Sequence, residues 1–286
     1  MADGTRGKPL TVRNLQQMKA AGQSIVAVTA YTEPEGRLCD AAGVDVVLVG
    51  DSLGDVVLGL RDTVGVRQQD MLRHTAAVAR GVRRALLVAD MPFLSYQTDV
   101  ASAVRHAGAL LRSGADAVKL EGGAYWAGTV RHLVESGIPV VGHLGFTPQS
   151  VRRLGGPRVQ ARDGSERARL LADAEALAAA GAAAVVLEMV PAPVAAEVTA
   201  RIAPPTIGIG AGPACSGQVL VLYDIVGLSP RAPRFARAYA DLATAMRTAV
   251  AAYADDVRQG RFPSPAESHD GQGWGQGGAV READTP

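Results

Sequence analysis

Only three of the 29 basic residues in this chain are lysines. One of them, Lys119, ends an apolar run beside a carboxylate, in Ala117-Val118-Lys119-Leu120-Glu121-Gly122-Gly123. Residues two apart in an extended strand share a face, so Lys119 and Glu121 are expected to project together from the strand's C-terminal end. A surface ion pair is the plainer alternative, but lysine is rare within buried strands. Two further acids close runs of the same kind: Asp51 follows Val46-Val47-Leu48-Val49-Gly50, and Asp90 follows Ala85-Leu86-Leu87-Val88-Ala89. Three carboxylates gathered at one point repel, and without a cation some of them take up protons. A hard divalent ion with oxygen ligands relieves that repulsion. Mg²⁺ fits best because it accepts few protein ligands and completes its shell with water and substrate oxygens. His143, at the tip of the next run, opens Mn²⁺ or Co²⁺ as alternatives, whereas no His- or Cys-rich set favours zinc.

Glu188 ends the run Ala184-Val185-Val186-Leu187. An apolar approach of this kind suits a general base, with a fourth metal ligand or a structural acid as the alternatives. His143, in Gly142-His143-Leu144-Gly145, is placed either to hydrogen-bond a substrate or to orient a carboxylate. His74, His106 and His132 fall in helical patterns and read as structural. The run Gly208-Ile209-Gly210-Ala211-Gly212 lacks the acidic ribose ligand of a dinucleotide site. It reads instead as a tight turn that lets a ligand approach the backbone.

These polar residues need a scaffold that ends several strands at one place. The layout of glycine, β-rich run and polar tip recurs from Gly43, Gly114, Gly137 and Gly181. Continuous apolar runs between helical patterns read as parallel strands buried on both faces. Alternating units over about 250 residues indicate a (β/α)₈ barrel, a TIM barrel, whose chemistry sits at the C-terminal ends of the strands. Thr98 is the expected cap of a helix through Val104, Ala107 and Leu110 that stops at Gly114. Ser165 is the expected cap of one through Leu171, Ala174 and Leu177 that stops at Gly181. Near the C-terminus, Phe235, Tyr239, Leu242, Met246, Val250, Tyr253 and Val257 recur at helical spacing. The final strand and its helix between 206 and 228 are not defined by pattern.

With 286 residues, 48% apolar and 20% charged, the chain can bury one core without disulfides. We expect one barrel domain over residues 1–263 with a short N-terminal extension. The Gly-, Gln-, Ser- and Pro-rich residues 264–286 are expected to form a disordered tail. A formal net charge of +1 shows no footprint for nucleic acid or an anionic membrane. Cys39 and Cys215 match no redox or zinc spacing. Buried thiols and the lack of an export or membrane-spanning run point to a cytoplasmic protein.

Several phrases taken together resemble the ketopantoate hydroxymethyltransferase family. They are Val49-Gly50-Asp51-Ser52-Leu53-Gly54, His74-Thr75-Ala76-Ala77-Val78, Ala89-Asp90-Met91-Pro92-Phe93, Val118-Lys119-Leu120-Glu121-Gly122-Gly123, Gly142-His143-Leu144-Gly145-Phe146-Thr147-Pro148-Gln149-Ser150 and Leu187-Glu188, in the family's order over about residues 9 to 262. The resemblance implies a barrel of the phosphoenolpyruvate mutase and isocitrate lyase group, Mg²⁺ dependence, and a homo-oligomer that is often a decamer in bacteria. It implies transfer of a hydroxymethyl group from 5,10-methylenetetrahydrofolate to 3-methyl-2-oxobutanoate, giving 2-dehydropantoate for pantothenate biosynthesis. Carried over, Asp51, Asp90 and Glu121 form the metal site. Asp51, Ser52, Asp90, Lys119 and His143 line the 2-oxo acid pocket, and Glu188 is the catalytic base.

The chain departs from the family's usual pattern in a cluster. Thr32 stands for Asp, Gly65-Val66-Arg67 for Pro-Val-Thr, Pro213 for Asn, Ser216-Gly217-Gln218 for Asp-Gly-Gln, and Tyr223 for His. Metal site and base are intact while mouth loops have changed. A paralogue that hydroxymethylates a different 2-oxo acid is therefore the first alternative. A C–C lyase of the related barrel group is the second.

Overall fold

The computed structural model describes residues 8–269. Eight parallel strands close into a barrel in sequence order, with β8 pairing back to β1. They are β1 (Ile25–Thr29), β2 (Val46–Val49), β3 (Leu86–Asp90), β4 (Ala117–Glu121), β5 (Val140–Gly145), β6 (Ala184–Glu188), β7 (Thr206–Ile209) and β8 (Gly217–Leu220). The helices are α1 (Val12–Ala20), α2 (Glu33–Ala41), α3 (Leu53–Val56), α4 (Gln68–Gly81), α5 (Val100–Arg112), α6 (Ala127–Glu135), α7 (Val151–Leu154), α8 (Gly164–Ala179), α9 (Ala192–Arg201), α10 (Leu222–Ile225) and α11 (Leu242–Arg258). The expected barrel is therefore the fold, and the final strand that pattern left open is β8.

The strands read as unbroken apolar runs because both of their faces are buried. Ile25, Ala27, Val46, Leu86, Val88, Ala117, Val141, Ala184, Val186, Ile207 and Val219 fill the inside of the barrel. Val28, Val47, Leu87, Val118, Val140, Val185 and Leu187 pack outward under the helices. α1 closes the N-terminal end, where Leu15 joins the inner core. Lys19 reaches from α1 across that end and donates to the carbonyls of Thr199, Ile202 and Pro204 at 2.9, 2.6 and 3.0 Å. These carbonyls lie at and just beyond the end of α9, where backbone acceptors have no helical donor.

Two helix starts differ from expectation. Asp99 rather than Thr98 caps α5, its carboxylate accepting from the backbone N–H of Ser102 at 2.7 Å. Asp163 rather than Ser165 caps α8, accepting from the N–H groups of Ser165 and Glu166. In both cases a carboxylate lies within reach of the hydroxyl residue, and an anion is the stronger acceptor at the positive end of a helix.

The eighth unit departs most from the pattern. Phe235 and Tyr239 lie in the loop before α11, and no residue of α11 is buried. Its apolar stripe faces solvent, with Met246 53% and Val250 66% exposed. The outer wall between β8 and β1 is uncovered: the register partners Val26 and Gln218 are both exposed. Cys39 is buried as expected, whereas Cys215 is only partly so. Pro265–Glu267 forms a single 3₁₀ turn capped by Ser264, and residues 270–286 of the expected tail lie outside the described residues. Among the described residues no helix is long and apolar enough to cross a membrane.

Candidate active site

The inward column of each strand continues, two residues at a time, into the polar tips. Val88 leads to Asp90, Ala117 to Lys119 and Glu121, Val141 to His143, and Val186 to Glu188. Strand register sets these side by side, since Asp90 pairs with Lys119 and Glu121 with His143. Asp51 stands just past β2, and its backbone N–H donates to Asp90 Oδ2 at 3.0 Å. All six sequence-predicted acids and cations thus meet at the C-terminal mouth, lining a cavity of about 780 Å³ with Ser52.

Asp51, Asp90, Lys119, Glu121 and His143 are buried, while Glu188 is only partly covered. Lys119 is therefore no surface ion pair. Its Nζ lies 3.0 Å from Asp90 Oδ1 and 3.3 Å from His143 Nδ1. His143 stands between two carboxylates, with Nδ1 3.5 Å from Glu121 Oε1 and Nε2 3.2 Å from Glu188 Oε2. Burial and the nearby Lys119 ammonium lower the pKa of His143, but Glu121 and Glu188 outweigh them and raise it to about 9. His143 is thus placed to orient two carboxylates. Burial likewise lowers Lys119, but the charges of Asp90, Glu121 and Asp51 overcome it and hold the ammonium above its ordinary value. Asp51 is pushed well above the carboxylate range by burial and by the charges of Asp90 and Glu121.

The cluster places four carboxylates against one ammonium and one imidazole, an excess of negative charge that favours a bound cation. Asp90 Oδ1 and Glu121 Oε1 are buried without a well-directed hydrogen bond. Asp90 Oδ1 has the Lys119 ammonium at 3.0 Å and Glu121 Oε1 has His143 Nδ1 at 3.5 Å, and each carboxylate oxygen has further lone pairs, so the two hard oxygens beside Asp51 fit a divalent ion of the Mg²⁺ type. Among the described residues no three Asp, Glu, His or Cys side chains are placed to hold one metal ion by themselves. That is compatible with an ion that takes much of its shell from water and substrate.

Three residues at the site carried no signal of their own in the sequence. Gln149, after β5, spans the cluster. Its Nε2 donates to Asp51 Oδ2 at 2.8 Å and to the Met91 carbonyl at 2.9 Å, and its backbone N–H donates to Glu121 Oε2 at 3.0 Å. The Tyr96 hydroxyl accepts from the Glu121 N–H at 3.1 Å and lies 3.0 Å from the carbonyl of the same residue. Tyr31, fully buried after β1, places its hydroxyl 2.9 Å from Ser52 Oγ. Burial raises the Tyr31 phenol, so it stays neutral. Gly50 leaves room for this pair, because a Cβ there would fall 2.7 Å from Ser52 Oγ.

Other sequence readings resolve outside the cluster. His74 and His106 contact the carbonyls of Tyr31 and Ser95 through Nδ1 at 2.6 and 2.7 Å, anchoring helices to mouth loops. The glycines of the run 208–212 face protein side chains, while Ile209 between them lines the cavity. A Cβ on Gly210, where φ is +61°, would fall 2.8 Å from the Phe235 ring, and one on Gly212 would meet Ala192. The glycines make room for protein side chains.

Comparison with known proteins agrees with this geometry. The family profile described as ketopantoate hydroxymethyltransferase matches residues 9–265. The chain is 56% identical over 239 residues to the 3-methyl-2-oxobutanoate hydroxymethyltransferase of Pyrobaculum islandicum, covering 84% of this chain and 92% of that one. It is 54% identical to the protein of the same name from Moorella thermoacetica, covering 91% and 97%. Among solved structures, 2,3-dimethylmalate lyase, a PEP mutase/isocitrate lyase superfamily member, aligns with a TM-score of 0.59 at 18% identity, over 90% of this chain and 93% of that one. Phosphonopyruvate hydrolase in complex with oxalate and Mg²⁺ aligns with a TM-score of 0.57 at 14% identity, over 90% and 93%. The barrel fold is shared with that superfamily, and by profile and identity the chain belongs to the ketopantoate hydroxymethyltransferase family.

Proposed function

We propose that this protein converts 3-methyl-2-oxobutanoate, 5,10-methylenetetrahydrofolate and water to 2-dehydropantoate and tetrahydrofolate. The C3–H bond of the 2-oxo acid breaks and its proton goes to Glu188. Water breaks the bonds of the methylene carbon to N5 and N10, leaving its oxygen on that carbon as a carbonyl and its two protons on the nitrogens of tetrahydrofolate. C3 then bonds to that carbon, and the oxygen takes the proton back from Glu188 to become the hydroxyl. One observation carries the reading: a partly exposed carboxylate, Glu188, lines the cavity beside the buried acids and the one ammonium, 3.2 Å from His143 Nε2.

Each side chain has a task its position supports. The Lys119 ammonium and the Ser52 hydroxyl hold the substrate carboxylate. The neutral Tyr31 phenol fixes the rotamer of that hydroxyl. His143 holds Glu188 and Glu121 in place. Asp51 and Asp90, with Glu121 as the third acid, would hold Mg²⁺. Bound there, the ion would supply Lewis-acid polarisation of the 2-oxo group, which acidifies the C3 hydrogen. Removal of that proton by a positioned carboxylate contributes about 10²- to 10⁴-fold in rate.

A second reading concerns the substrate. Two of the departures from the family pattern meet at the mouth: Thr32 caps α2 together with Glu35, and the Tyr223 hydroxyl donates to Glu35 Oε1 at 3.2 Å. Tyr223 also packs edge-on to Tyr31, with ring centroids 5.7 Å apart. These changes stand behind the Ser52 contact, so they favour a 2-oxo acid of altered shape. Incubation with Mg²⁺, methylenetetrahydrofolate and a panel of 2-oxo acids, with products identified by mass, tests both readings. A gain of CH₂O on 3-methyl-2-oxobutanoate supports the first, and preference for another acid supports the second. No such product from any acid refutes both.

A homo-oligomer belongs to the same proposal. The solvent-facing stripe of α11 and the uncovered β8–β1 wall support it, because a continuous apolar helix face is stable in water only when something covers it.

A further inference from the structure

Seven carboxylates line the cavity, and one of them has no task so far. Asp51, Asp90, Glu121 and Glu188 belong to the cluster at the strand tips. Asp62 is engaged by Arg152 at 3.3 Å, and Asp55 lies at the exposed rim. Asp224, just beyond β8, is only 6% exposed. Among the described residues its carboxylate accepts no hydrogen bond and joins no ion pair. Unlike Asp90 Oδ1 and Glu121 Oε1, its oxygens are not sealed off, so the little exposure it keeps opens onto the cavity. A buried carboxylate without a protein partner is costly, and a native fold that keeps one marks a place where chemistry uses it.

The short helix α10 that carries Asp224 is held on three sides. The Leu222 N–H donates to Thr29 Oγ1 at the tip of β1 at 3.0 Å, and the Tyr223 hydroxyl donates to Glu35 Oε1 at 3.2 Å. The N–H groups of Leu228 and Ser229 donate back to the Tyr223 carbonyl at 2.8 and 3.2 Å. Asp224 is thus fixed in place, as a group that acts on a reacting atom must be. Around the mouth it stands after β8, between Glu188 at the tip of β6 and Asp51 past β2. The proposed reaction leaves a second proton transfer without a carrier. Once Glu188 holds the C3 proton, water must still give protons to the donor's nitrogens. His143 is occupied between two carboxylates, and the Tyr223 proton is committed to Glu35.

We infer that Asp224 is a second catalytic base, the one that activates the water. The water oxygen bonds to the methylene carbon as Asp224 takes one of its protons. The two C–N bonds break with their electron pairs left on N5 and N10. Each nitrogen gains one proton, one returned by Asp224 and one from the oxygen, which stays on the carbon as the carbonyl of formaldehyde. The inference rests on the proposed one-carbon transfer and divides its proton transfers between two carboxylates. Its test compares the Mg²⁺-supplemented protein with Asp224→Asn in three reactions: exchange of the C3 hydrogen of 3-methyl-2-oxobutanoate with deuterated water, addition of free formaldehyde to that acid, and folate-dependent turnover. The first two move no proton from water to a donor nitrogen. The variant should keep both within about twofold of wild type, while its folate-dependent kcat falls by about 10²- to 10⁴-fold with little change in folate KM. Asp224→Glu, which keeps a carboxylate, should recover part of that loss. Folate-dependent turnover by the Asn variant at the wild-type rate overturns the assignment. Equal loss in all three reactions overturns it too, because that marks a structural role, as does a wild-type protein unable to add free formaldehyde. Wild-type exchange and turnover with an unaffected Asn variant refutes Asp224 alone, whereas no exchange and no product from wild type refutes the proposed function as well.

Discussion

Replacing Gln149 by Met keeps the length and volume of the side chain and removes its hydrogen-bonding groups. Asp51 Oδ2 and the Met91 carbonyl lose donors at 2.8 and 2.9 Å, while the backbone bond from residue 149 to Glu121 remains. The Tyr96 hydroxyl and Gln97 Nε2 also lose their acceptor, Gln149 Oε1, at 3.1 and 3.2 Å, so it is metal affinity, not stability, that reads the hold on Asp51. Burial and two neighbouring acids already raise the pKa of Asp51, and the Gln149 bond opposes them. Without it a proton competes better for the carboxylate, so metal affinity should fall and its pH profile should move to higher pH. Loss of a partner that orients a metal ligand costs about 10- to 100-fold in affinity. Leaving each buried acceptor unpaired costs roughly 1–3 kcal/mol of stability. Titration with Mn²⁺, followed by its EPR signal from pH 6 to 9, reads the first effect, and thermal unfolding reads the second. Affinity within twofold of wild type across that range would refute the role given to Gln149.

Four further outcomes follow from the same geometry. Because the folded pKa of His143 is raised, its contribution to stability is full below its ordinary value near 6.5 and is lost as pH rises through about 9. Metal-free protein should therefore lose melting temperature over that window, and His143→Gln should flatten the slope; an equal slope in the variant contradicts the assignment. Lys19→Met, far from the mouth, strips three carbonyls of their donor and should cost about 2 kcal/mol with turnover kept; an unchanged unfolding midpoint in urea speaks against this. Lys119→Met breaks a buried ion pair and should destabilise by about 3–5 kcal/mol as well as weakening 2-oxo acid binding, so a calorimetric scan matching wild type excludes that role. Val250→Glu places a charge on the exposed stripe of α11 and should split the assembly in sedimentation velocity; a wild-type protein that is already monomeric removes the basis for that expectation.

The acids and the lysine were legible in the sequence because a strand's inward column has a period of two. Val88 to Asp90 and Ala117 to Lys119 to Glu121 can be counted without a structure. Gln149 could not be found that way. Its partner Asp51 is 98 positions distant, and only barrel closure brings the loop after β5 over β2. The helix starts slipped by one or two residues because Thr98-Asp99 and Asp163-Gly164-Ser165 each offer two acceptors, and strength of acceptor decided between them. The stripe of α11 was legible as a helix face. Its exposure was not, since apolar period states that a face needs covering without stating what covers it. The spacing of 208–212 indicated open backbone, but the side chain that fills it, Phe235, comes from a loop with no regular pattern.

The central claim is that Glu188 removes the C3 proton of a 2-oxo acid. Incubating the Mg²⁺-supplemented protein with 3-methyl-2-oxobutanoate in deuterated water, without folate, and following the C3–H signal by proton NMR measures that step alone. Wild-type protein should catalyse the exchange, and Glu188→Gln, which keeps the shape and removes the base, should slow it by about 10²- to 10⁴-fold while still binding the acid. Exchange by the Gln variant at the wild-type rate would contradict the assignment of Glu188 as the base.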